Sequence, residues 1–81
     1  MKIENLVKMA NNIGNFFGAE PDRAVAVRGI ADHLRRFWDP RMRKAIIAHY
    51  REGGIGLNDL PREAIAELEK ETELLRETGD G

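Results

Sequence analysis

Apolar residues recur at intervals of three and four along nearly the whole chain and nowhere alternate with polar ones. That spacing is the signature of amphipathic helices, and it leaves no segment that could be read as a strand. The first stripe runs through Ile3, Leu6, Val7, Ala10, Ile13 and Phe17. Met9 and Phe16 widen it to nearly half the circumference, which suggests two neighbours rather than one. Gly14 lies inside this stripe. An interior Gly costs up to ~1 kcal/mol relative to Ala, so it implies that another helix approaches closely there. Gly18 is expected to end the helix as a left-handed cap.

A second stripe, Ala24, Val27, Ile30, Ala31 and Leu34, continues in phase into Phe37 and Trp38. Pro21 suits a first helical turn, with Asp22 against the positive end of the dipole. Asp39-Pro40 then stops one helix and starts the next, Asp as N-cap and Pro at the first helical position. In the third helix Met42, Ala45, Ile46 and His49 share a face, with Ile47 and Tyr50 beside it. EGGIGLNDLP is the one clear loop. A fourth helix follows from Pro61, with Ala64, Ile65, Leu68 and Leu75 as its stripe and Thr72 within it.

The pattern predicts an all-α fold: a small antiparallel bundle of three to four helices, at about 3–17, 21–37, 40–51 and 61–77. The fourth helix is expected to dock more loosely than the rest. Residues 1–78 form one helical domain and 79–81 a frayed end. At 81 residues the chain can bury only about 60% of its unfolded surface, enough for one small core.

Chemistry is scarce. There is no Cys, which excludes a disulfide framework, a zinc finger and a thiolate-held iron–sulfur cluster. The two histidines, His33 and His49, stand sixteen positions apart and belong to no metal-ligand motif. His33 falls opposite its apolar stripe and reads as a solvated surface residue. His49 falls on one and reads as a boundary residue bonded to a carbonyl or to water. Glu63, Glu67, Glu69, Glu71, Glu73 and Glu77 read as the solvated face of the fourth helix. No catalytic, cofactor-binding or metal-ligating residue is expected. With no apolar run long enough for a signal core or a membrane span, the chain reads as cytoplasmic.

Charge is the informative feature. The net charge is −1, yet residues 28–51 carry seven basic and two acidic residues while residues 52–81 carry three basic and nine acidic. Five of the thirteen basic residues fall within RRFWDPRMRKAI, residues 35–46, beside the only Trp. Arg41 and Arg43 sit in a first helical turn, where a cation opposes the dipole by a few tenths of a kcal/mol. That cost points to an anionic partner. Three remain open: the chain's own acidic fourth helix, a partner protein, or nucleic acid bound by a small helical or regulatory domain through residues 35–44. The pI of 6.1 and the acidic tail weigh against nucleic acid. Periodicity places Trp38 on the core stripe, while a Trp beside Arg at a helix junction is also the composition of an interface anchor. The candidate partner-binding residues are Arg35, Arg36, Phe37, Trp38, Pro40, Arg41, Arg43 and Tyr50.

Three runs carry a resemblance to a known family. They are His33 to Arg43 as H-x-R-R-F-W-x-P-x-M-R, Lys8 to Phe17 as KMANNIGNFF, and the glycine turn followed by Leu57. Over about Met1 to Leu68 the chain resembles the small delta subunit of the multisubunit, NAD-dependent, molybdenum- or tungsten-containing formate dehydrogenases of bacteria. The acidic stretch after about Glu69 lies outside the pattern. The resemblance implies a non-catalytic accessory subunit bound to the large alpha subunit, supporting assembly, stability or cofactor insertion. It implies no cofactor in this chain. Molybdopterin guanine dinucleotide, iron–sulfur clusters and FMN would belong to the partner subunits. When the partner is absent, the wide first stripe could be satisfied by self-association.

Overall fold

The computed structural model describes residues 2–79, with side chains through Leu74. Four helices follow one another: α1 (Ile3–Phe17), α2 (Arg23–Phe37), α3 (Pro40–Arg51) and α4 (Asp59–Gly79). The described residues contain no strand. No helix among them is long and apolar enough to cross a membrane. One apolar core joins Leu6 and Ala10 of α1, Val27, Ile30, Ala31 and Leu34 of α2, Ile46 and Ile47 of α3, and Ala64, Ile65 and Leu68 of α4, with Trp38 and Leu57 contributed by the connections.

The helix starts follow from side chains that satisfy the free N–H groups of a first turn. Asp39 accepts a hydrogen bond from the Met42 amide at 2.9 Å, and Pro40 is the first residue of α3. At α2 the expected start at Pro21 is corrected. Asp22 is the cap itself, accepting from the amides of Ala24 at 3.0 Å and Val25 at 3.4 Å, so the helix begins at Arg23. This phase buries Ala26 in place of Ala24, which is exposed. Gly18 also departs from expectation: its φ of −64° is right-handed. The chain leaves α1 through a further turn, Glu20 N–H to Phe17 O at 3.0 Å, that never needs a left-handed residue.

The loop after α3 does need them. Gly53, Gly54 and Gly56 have φ of 115°, 63° and 90°, values that side chains rarely tolerate. Helix α4 then starts two residues earlier than expected. Pro61 is tolerated inside its first turn because that amide would have no helical partner in any case.

The expectation of a loosely docked fourth helix is overturned. Helix α4 packs against each of the other three, most extensively against α2, and Ala64 and Ile65 are fully buried. At Gly14 of α1 the close approach anticipated from the sequence is present, since a Cβ there would lie 2.7 Å from Cδ of Pro61. Helices α2 and α4 run in the same direction, tied by Arg23–Glu63 at their starts and by Arg35–Glu71 further along. The side chain of Leu75 lies outside the described residues, as does the frayed end expected at 79–81 except for Gly79, the last residue of α4.

Candidate protein-interaction surface

The sequence pointed to the α2–α3 corner, and the structure divides its residues into two groups. Arg35, Trp38 and Arg43 are engaged internally. Trp38 is 4% exposed and belongs to the core, so of the two readings left open the core reading holds and the indole does not face outward. Arg35 forms ion pairs with Asp32 and with Glu71, whose other oxygen accepts from Nε at 3.0 Å. The hydrogen bond to Glu71, with the charges of Glu71, Asp32 and Glu67, holds the Arg35 guanidinium above its ordinary pKa against a smaller opposing effect of burial. Arg43 Nη1 donates to the carbonyls of Arg35 at 2.9 Å and Trp38 at 2.6 Å. Its place in a first turn therefore has an intramolecular reason: it closes the carboxyl end of α2, where a cation is favoured.

Arg36, Phe37, Pro40 and Arg41 form the second group, and all four are exposed. Phe37 is 70% exposed, its ring lying 4.7 Å from that of His33. His33, expected to be solvated, is half-buried. Arg36 and Arg41 have no hydrogen-bond or ion-pair partner among the described residues. The eighth residue, Tyr50, is half-buried against the core. It lies ten residues along α3 from Pro40, about 15 Å away by helical rise, and so is not part of the corner.

The acidic fourth helix does neutralise part of the basic segment. Arg35 pairs with Glu71, and Arg51 with Glu69 at 2.6 Å and Glu73 at 3.6 Å; Arg23, ahead of that segment, pairs with Glu63 at 3.0 Å. These pairs are solvent-exposed and orient the helices more than they stabilise them. They also remove an apparent anion site. A groove of about 780 Å³ between α3 and α4 is lined by Arg35, Arg43, Lys44 and Arg51 over Ile47 and Leu68. Three of its four cations are already satisfied by carboxylates or carbonyls, which leaves only Lys44.

Sequence reasoning missed how firmly the glycine loop is held. Asn11 of α1 donates from Nδ2 to Gly56 O and accepts at Oδ1 from the Asn58 amide, both at 2.9 Å. Arg62 donates to Gly53 O and Gly54 O at 2.9 Å. His49 Nε2 donates to Ile55 O at 2.8 Å, which fulfils its reading as a boundary histidine bonded to a carbonyl. Asn11 was legible only as a polar residue at the edge of an apolar stripe. Its partners lie more than forty positions away.

Among the described residues no group of three His, Asp or Glu side chains could hold a metal ion. The geometry defines a small all-helical protein with an exposed aromatic and cationic corner between α2 and α3. The chain belongs to the family of the NADH-dependent formate dehydrogenase delta subunit FdsD, whose family model matches residues 5–65. The match takes in α1, α2, α3, the glycine loop and the first turns of α4, and ends ahead of the acidic stretch. No curated protein and no solved structure matches the chain.

Proposed function

We propose that the chain is a non-catalytic accessory subunit that docks on the large molybdopterin-bearing subunit of its formate dehydrogenase and supports assembly, stability or cofactor insertion. One observation carries the docking: Phe37, an aromatic side chain 70% exposed, shares a corner fixed by Asp39-Pro40 and by the Arg43 clamp with two exposed arginines, Arg36 and Arg41, that have no partner among the described residues. A rigid aromatic beside Arg is the composition of interface hot spots, and rigidity lowers the ordering cost of binding. On this reading molybdopterin guanine dinucleotide, the iron–sulfur clusters and FMN reside in partner subunits, and the complex works in the cytoplasm.

The test is co-purification of the full chain with the large subunit. The double variant Phe37→Ala/Arg41→Glu is expected to lose the complex and to lower its molybdenum content while keeping its own helical content and thermal midpoint. Normal co-purification and normal molybdenum loading of a folded double variant would refute the docking.

A further inference from the structure

We infer that the seam between α1 and α2 is a docking strip for an amphipathic, acid-flanked helix of the partner subunit. The inference rests on the reading above and extends it from the corner to a whole face. On α2, Val25, Gly29, His33 and Phe37 follow one another at four-residue spacing and so form a single row about 18 Å long. Across the seam the Phe17 ring lies over Gly29 so closely that a Cβ there would meet its Cε1 at 2.5 Å. Phe16 stands edge-on to Phe17 with centroids 5.2 Å apart, and is itself 77% exposed. Phe16, Phe17, Gly29, His33 and Phe37 therefore make a continuous path, with Met9 exposed two turns before Phe16 on α1.

This face accounts for the excess width of the first apolar stripe. The four helices bury Leu6, Ala10 and Gly14 of α1 but leave Met9 and Phe16 in solvent. Exposed apolar side chains spread along a helix pair, Met9 and Phe16 on α1 with Val25 and Phe37 on α2, suit the spaced anchors of a helix laid against them.

Charge decides among occupants. Arg28 and Arg36 edge the strip on α2, and neither has a partner among the described residues. The carboxylates nearby are engaged: Asp32 with Arg35, Glu20 and Asp22 with backbone amides at the start of α2. The rim is thus cationic around an apolar centre, and its complement is an apolar stripe flanked by Asp and Glu. A second copy is disfavoured, because a two-fold pairing of this face would set the cationic rim of Arg28 and Arg36 against the same rim of the other copy. Nucleic acid is disfavoured because phosphates laid along the strip would meet Phe16 and Phe37 rather than a row of cations.

The experiment measures the affinity of the full chain for the isolated large subunit, using variants outside the corner. Phe16→Asp and Arg28→Glu are each expected to weaken binding at least tenfold while preserving the circular dichroism spectrum. Wild-type affinity is expected to fall as salt rises, with a shallower slope for Arg28→Glu. Glu4→Gln, on the outer side of α1, serves as the unaffected control. Binding within twofold of wild type for both seam variants would overturn the strip. If Phe37→Ala/Arg41→Glu still lost the complex in that case, the accessory-subunit reading would stand alone. If it too bound normally, both would fall. Two further outcomes would also overturn the strip: a homodimer of the isolated chain abolished by Phe16→Asp while subunit binding is unchanged, or oligonucleotide binding lost in Arg28→Glu while subunit binding is unchanged.

Discussion

The guanidinium of Arg43 donates to the carbonyl oxygen of Trp38 at 2.6 Å, so that a residue of α3 closes the end of the helix before it. The same nitrogen donates to Arg35 O at 2.9 Å. This one side chain ties α3 to the end of α2 at the corner, next to the buried Trp38. It also releases Arg41, two positions earlier, from any structural task visible among the described residues.

Arg43 and Arg41 should therefore separate cleanly. Arg43→Ala is expected to destabilise the fold by about 1.5–3 kcal/mol, the range for hydrogen bonds made by a charged donor. Arg41→Ala, an exposed change, should stay within about 0.5 kcal/mol. Urea unfolding of the two variants measures both.

Phe37 and Trp38 are adjacent and should behave oppositely. Trp38→Ala empties a core position and should cost about 3–5 kcal/mol. That is a large part of the roughly 4–12 kcal/mol expected for a domain of this size. Phe37→Ala should cost no more than about 1 kcal/mol, the value of its contact with His33. Thermal unfolding of the single variants distinguishes them. Any loss of subunit binding by Trp38→Ala would then be read as unfolding.

Gly14→Ala tests the crossing of α1 and α4. Helix propensity alone would make it stabilising by up to ~1 kcal/mol. The Cβ would lie 2.7 Å from Pro61 Cδ, part of a rigid ring in the first turn of α4. The expected result is a net destabilisation of about 1–2 kcal/mol from overpacking, measured by chemical denaturation.

The clasp on the glycine loop is expected to be cooperative. Asn11→Ala removes both bonds to the segment at Gly56 and Asn58, and should cost about 1–2 kcal/mol. The amide of Asn58, bonded to the Asn11 carboxamide, should exchange with solvent at least tenfold faster, a change readable by hydrogen exchange. Exchange of the α2 core amides should change only in proportion to the loss of global stability.

The amino-acid sequence by itself determined the features that depend on neighbours within a few positions. The all-helical class followed from spacing. The α2–α3 break followed from Asp39-Pro40, and the irregular loop from Gly53, Gly54 and Gly56. Even the close contact at Gly14 could be anticipated, because only a crowded crossing explains a glycine there. At the start of α2, where the sequence placed Pro21 and Asp22 together in the first turn, the side chain able to bond free amides, that of Asp22, became the cap. Tertiary structure alone decided the rest, because periodicity tells which residues share a face but not what lies opposite. It buried Trp38 and exposed Phe37, spent Arg43 on carbonyls of the preceding helix, and bound α4 tightly to the other three. It also left Met9 and Phe16 outside the core, since the apolar stripe of α1 is wider than three neighbouring helices cover.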